Sequence, residues 1–79
     1  MAETHRCPAR GCAVPVPNAM LACRAHWALV SPETKRRVYS TWRARCRRVR
    51  GAVQAHMRAC DAAEAEMNAA IGQAEADGA

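Results

Sequence analysis

Cys7, Cys12, Cys23 and His26 stand in the order Cys-x4-Cys-x10-Cys-x2-His. Three thiolates and an imidazole are the donors that zinc takes in a tetrahedron, with Zn–S about 2.3 Å and Zn–N about 2.0–2.1 Å. The Cys7–Cys12 loop contains Pro8 and Gly11, and Gly11 gives the backbone the freedom to turn both sulfurs toward one point. Cys23 and His26, at i and i+3, share a helix face and complete the set. Four protein ligands leave no open coordination position for catalysis, and no carboxylate lies between residues 4 and 32. The expectation is one structural Zn2+ and no enzyme activity. His5 is awkwardly spaced as a substitute ligand, and His56 with Cys60, at i and i+4, reads as ordinary packing rather than a second site.

A second chemical feature lies downstream. Residues 35–50, KRRVYSTWRARCRRVR, carry eight basic side chains, and no acid occurs between residues 34 and 60. At helical periodicity Arg36, Arg43, Arg47 and Arg50 form one stripe beside the apolar face of Val38, Trp42, Cys46 and Val49. Guanidinium groups present planar donor forks that suit phosphates. Residues 1–50 hold eleven Lys/Arg against Glu3 and Glu33, whereas residues 51–79 hold Arg58 against five acids. The basic half therefore suits an anionic partner. Nucleic acid is the first expectation. The alternative is a protein-interaction module, an inhibitor or adaptor docking the basic helix on an acidic surface of a host protein.

The elements that must position these groups follow from composition. The 79 residues include no Phe, one Tyr and two Trp, with a net charge of +5. A chain this short buries only about 60% of its unfolded surface, so a metal or a partner is expected to supply stability. No charged-then-apolar leader or membrane-length apolar run is present, which suggests a reducing, cytoplasmic compartment. The expected fold is small, metal-stabilised and mainly α. Residues 1–30 form a zinc-binding module, 31–50 a basic helix, and 51–79 an Ala-rich acidic helical tail.

Within the first segment, residues 1–6 read as a loose arm and Val14–Pro17 as an extended piece or half of a poor hairpin. A short helix starting at Asn18 or Ala19, with Asn18 as N-cap, carries Cys23 and His26. Trp27 is expected to pack over the metal site rather than stack a base. Ser31-Pro32-Glu33 is a helix start: N-cap, proline in the first turn, then an acid. No proline follows. Trp42, Cys46, Val49, Val53, His56, Cys60, Ala63 and Met67 recur in alternating steps of four and three, a heptad seam that passes Gly51 in phase. A continuous helix is preferred over a helical hairpin bent near Gly51. The seam predicts a coiled-coil homodimer, with an antiparallel pairing that sets Cys46 against Cys60 of a second copy. In the alternative, the tail folds back on the basic helix or frays.

The string CPARGC, followed by Pro17, Leu21, Cys23, His26 and Trp27, a Val-Ser-Pro helix start and a Trp-Arg-rich helix, resembles a group of small zinc proteins. These are encoded by bacteriophages, prophages and high-GC bacteria and share a C-P-x-x-G-C … C-x-x-H-W pattern. The arrangement also resembles a truncated treble-clef zinc finger, in which a knuckle and a helix start give two ligands each. The resemblance covers about residues 7–45 and implies the same four zinc ligands. Most members lack an assigned function, so it supports a metal site more than any activity.

Overall fold

The computed structural model describes residues 3–78. The chain forms strand β1 (Thr4–Arg6), strand β2 (Pro15–Pro17), a one-turn helix α1 (Arg24–Trp27), helix α2 (Pro32–Cys46) and helix α3 (Ala52–Asp77). The mainly helical, small architecture with a cysteine–histidine cluster near its start is as the sequence predicts.

Residues 4–6 are not a loose arm. β1 pairs antiparallel with β2 in the register Thr4↔Pro17, His5↔Val16, Arg6↔Pro15. Pro15 and Pro17 lack N–H donors, so the ladder is short, and it is extended by the Asn18 N–H donating to the Glu3 carbonyl (3.1 Å). Val16 points into the core while its two prolines face out. His5 fastens the hairpin to the next loop: its Nε2 lies 3.0 Å from the Leu21 carbonyl and its Nδ1 3.1 Å from Asn18 Oδ1. Those two acceptors raise the His5 pKa by favouring the doubly protonated ring. Asn18 is thus a hairpin contact rather than an N-cap, and residues 18–22 form turns and bends instead of the expected helix.

α2 begins where its sequence signals place it. Ser31 caps it by accepting the Thr34 N–H (3.2 Å), and Pro32 occupies the first turn. The continuous helix expected beyond residue 46 does not form. The Arg48 N–H donates to the Arg45 carbonyl and the Val49 N–H to the Ala44 carbonyl, both at 3.0 Å. This bonding pair is a Schellman stop, with Arg48 left-handed (φ 59°) where glycine is usual, and Gly51 (φ 79°) turns the chain into α3. The sequence alternative, a helical hairpin bent near Gly51, is the observed one. Ser31 and Thr34 meet Glu66, while Thr41 and Trp42 meet His56, so α3 runs antiparallel to α2.

Fold-back buries only the distal part of the seam within one chain and leaves Trp42, Cys46, Val49 and Val53 exposed. Ala59, Ala63 and Met67 are fully buried in one cluster with Cys7, Ala9, Cys12, Val16, Ala22, Val30 and Val38. Met67 and Ala63 face this intrachain core rather than a second copy. Val49 (52% exposed), Val53 (48%) and Cys46 lie outward near the bend, and His56 and Cys60 are half-buried. The straight antiparallel pairing of two long helices has no counterpart here, because the helix it requires is broken at residues 47–51. Folding back buries Ala59, Ala63 and Met67 against the cysteine-containing N-terminal residues, at roughly 25 cal/mol per Å² of apolar surface.

The tail also reaches the Cys7–Cys12 loop by polar contacts. The Arg10 N–H donates to Asn68 Oδ1 (2.8 Å), and the Arg10 guanidinium pairs with Glu75 (3.1 Å). Glu66 from α3 accepts the Ser31 N–H (2.8 Å) and the Thr34 hydroxyl. Hydrogen bonds from Thr34 and from the Ser31 backbone hold its pKa below the ordinary carboxylate value.

Candidate metal centre

Three short pieces of chain bring the four predicted ligands together. Cys7 follows β1, Cys12 closes the loop before β2, and α1 contributes Cys23 at its N-cap and His26 one turn on. The loop is closed by the Cys7 N–H bonding to the Val14 carbonyl (3.0 Å) and the Cys12 N–H to the Ala9 carbonyl (3.1 Å), with Gly11 at φ 79°. A side chain at Gly11 would find open space, so glycine serves there only for its backbone conformation. Arg6 Nε braces the same loop by donating to the Cys12 carbonyl (2.8 Å).

The donor atoms of Cys7, Cys12, Cys23 and His26 all lie within 4.8 Å of one another. Cys7 Sγ is 3.6 Å from His26 Nδ1, Cys23 Sγ is 3.1 Å from the same nitrogen, and Cys12 Sγ is 4.0 Å from Cys23 Sγ. A regular tetrahedron with zinc bond lengths has S···S edges of about 3.8 Å and S···N edges of about 3.6 Å. The four residues are close enough to bind one metal ion, and His26 offers Nδ1. Cys7 and Cys12 are buried, and Cys23 and His26 are half-buried.

The surroundings favour thiolate at Cys7. Burial opposes its ionisation, but N–H groups of Cys23 (3.4 Å) and Ala9 and the His26 ring outweigh that, holding its pKa at about 6. At Cys12 the Val14 backbone favours the thiolate, yet burial and the neighbouring Cys7 and Cys23 sulfurs raise its pKa. A cation at the centre would relieve that repulsion, which is how metal ligation and deprotonation are linked. His5 is turned away from the centre onto Leu21 and Asn18.

Trp27, next to His26, packs partly buried against the core and meets Tyr39 edge-on at 5.8 Å. His56 and Cys60 touch, with Nε2 and Sγ 3.4 Å apart, and the His56 Nδ1 lies 3.0 Å from the Thr41 hydroxyl. The hydroxyl also lies 2.7 Å from the Arg37 carbonyl, to which it donates. His56 Nδ1 is then the donor to Thr41, and Nε2 accepts from the Cys60 thiol. Burial and the nearby Arg45 charge lower the His56 pKa, and burial with Asp61 raises that of Cys60, so both are neutral. The pair is a polar link between α2 and α3.

The four expected arginines are exposed, but they do not share one helix. Arg36 and Arg43 lie on α2, Arg47 is its C-cap, and Arg50 stands in the bend. Arg36 and Arg43 line one shallow surface with Glu33, Arg37, Tyr39 and Ser40. The ion pair found among the described residues is Arg10–Glu75, so none of the four arginines is in an ion pair there, although Glu33 borders Arg36 and Arg43. Sequence reasoning missed Glu66, Asn68 and the Arg10–Glu75 contact, which join α3 to the metal module. The signal for Glu66 was slight: Ser31 lacks the acidic residue three positions on that a capping box needs, Thr34 standing there instead.

Comparison of the chain with protein-family models, characterised proteins and solved structures gives no match. Among the described residues no helix is long and apolar enough to cross a membrane.

Proposed function

We propose that this protein is a non-enzymatic, zinc-stabilised nucleic-acid-binding module of the phage type, in which Arg36, Arg43, Arg47 and Arg50 contact phosphates. The observation that carries the reading is a run of four exposed guanidinium groups along α2 and the bend after it, none of them in an ion pair among the described residues, next to a cysteine–histidine cluster close enough to hold a metal ion. Zinc is the ion of choice because three sulfurs and one nitrogen suit it, whereas calcium and magnesium take oxygen. Bound there, it supplies a structural crosslink. Cys7 and Cys12 tie the β-hairpin, and Cys23 and His26 tie α1, whose end leads directly into the capped start of α2. α3 clamps that start through Glu66, and the arginines thereby acquire a fixed spacing. With all four coordination positions filled by protein, the ion has no site for substrate.

A titration of oligonucleotide against metal-loaded protein at several salt concentrations tests the reading. Each lost phosphate contact lowers the slope of log K against log salt by about 0.7 to 0.9. Arg43→Ala with Arg47→Ala should weaken binding and reduce the slope by roughly 1.4 to 1.8. No binding at about 50 mM salt removes the proposal.

A further inference from the structure

All three aromatic side chains of the protein, Trp27, Tyr39 and Trp42, line one cavity of 410 Å³ between the 18–22 loop, α2 and α3. In so small a chain the usual place for such side chains is the core. Here Tyr39 remains 50% exposed and Trp42 39% exposed. No Asp or Glu lines the cavity, and its other walls include Asn18, Arg45 and His56. One cation lines it, Arg45, 5.6 Å from the Trp42 ring centroid, and Lys35 lies 5.7 Å from the Trp27 centroid without lining the cavity. Tyr39 has a second role in this geometry, since it also borders the shallow surface of Arg36 and Arg43. One aromatic thus joins a mainly apolar recess to a surface on which three arginines outnumber the single acid, Glu33.

We infer that the cavity receives an unstacked base of a single-stranded nucleic acid, stacked on Tyr39 and Trp42, while Arg36 and Arg43 hold the adjoining phosphates. The inference rests on the nucleic-acid reading above and adds the class of strand. Its argument is charge complementarity. Three aromatic side chains and one cation, Arg45, line the recess without an acid, and a strand supplies a π-face and a negative backbone at adjacent positions. The recess falls within the range of about 300–1,000 Å³ that holds small ligands. A base paired within a duplex cannot enter it without being unstacked. Because every base has a π-face, little sequence preference is expected.

The test compares four probes on the wild-type, metal-loaded protein, read by quenching of tryptophan fluorescence and by anisotropy. They are a single-stranded DNA dodecamer, the same duplex, an abasic dodecamer with an identical phosphate backbone, and a mononucleotide. The single strand should bind about 10-fold or more tighter than the abasic strand, and should quench fluorescence where the abasic strand does not. Tyr39→Leu and Trp42→Leu should each weaken the single strand about 5-fold or more, and Trp42→Leu, which does not border the Arg36 and Arg43 surface, should leave abasic binding unchanged. Equal affinity for the intact and abasic strands, or a preference for duplex, overturns the inference while leaving the phosphate reading intact. A mononucleotide that binds as tightly as the dodecamer overturns it in favour of a small-molecule site. Absence of binding by every probe removes both readings.

Discussion

Glu66 offers a sharp test of how α3 holds the basic helix in place. Its carboxylate accepts the Ser31 N–H at 2.8 Å and the Thr34 hydroxyl, at the one end of α2 that faces the metal module. Hydrogen bonds to a charged acceptor contribute about 1.5–3 kcal/mol, and the carboxylate also sits favourably near a helix N-terminus. Glu66 is only half-buried, so water replaces part of this on its removal. Glu66→Ala should therefore cost about 2 kcal/mol, near the low end of that range. Glu66→Gln keeps an acceptor for Ser31 and loses the charge, so about 1 kcal/mol is expected. For a domain of this size each kcal/mol moves Tm by about 4–8 °C, so Glu66→Ala should melt roughly 8–16 °C lower. The assay is thermal unfolding by circular dichroism with metal saturating and fixed. A double-mutant cycle with Thr34→Val should show a coupling above about 0.5 kcal/mol. The pH dependence has a defined sign. The folded pKa of Glu66 lies below its unfolded value of about 4.3, so its contribution is complete above that pH and is lost as pH falls through the folded pKa. If Glu66→Ala melts within 2 °C of wild type (about a quarter of the smallest expected shift) and the cycle shows no coupling, the clamp is not what holds α3 to α2.

Other outcomes follow from the bend and the polar link. Arg48 adopts φ 59° and Gly51 φ 79°, so Arg48→Gly should stabilise the protein by about 0.5–1 kcal/mol, whereas Gly51→Ala should destabilise it by about 1 kcal/mol. Urea unfolding checks both, and the same sign for the two would contradict the left-handed bend. His56 is held neutral between Thr41 and Cys60, its folded pKa lying below the unfolded 6.5. Its contribution is present above the unfolded pKa and fades as pH falls through the folded one. The Tm difference between wild type and His56→Gln should therefore narrow from pH 7.5 to pH 5.5, both about one unit from the unfolded pKa, and a constant difference would refute the neutral link. Cys46 is exposed and remote from the four ligands, so Cys46→Ser should leave metal stoichiometry unchanged, whereas Cys12→Ser should lower metal affinity.

The parts of this structure legible in the sequence are those fixed by local chemistry. Cys7, Cys12, Cys23 and His26 converge as their spacing predicts, because a tight loop and one helical turn suffice to aim two donors each. Ser31-Pro32 starts α2 for the same kind of reason, since cap and first turn are neighbours in sequence. The bend was obscure because its left-handed stop falls on Arg48, which carries none of glycine's signal, while Gly51 alone is tolerable within a helix. What decides the bend is burial between segments far apart: Ala63 and Met67 of α3 against Cys7, Ala9 and Val16. The heptad spacing places Ala63 and Met67 on one helix face, which the chain itself covers, but periodicity does not say whether a second copy or the chain itself covers such a face. The expected helix from residue 18 gave way to turns, because His5 and Cys7 draw the Leu21 carbonyl and Cys23 N–H out of helical pairing.

Metal content measured together with stability in a chelator tests the central claim most directly. Purified protein should carry one zinc per chain, and excess EDTA should abolish its cooperative melt and lower its helicity, since binding of about 10–16 kcal/mol in comparable peptides exceeds what this core supplies. A metal-free sample with the same helicity and melting behaviour in EDTA would contradict the claim.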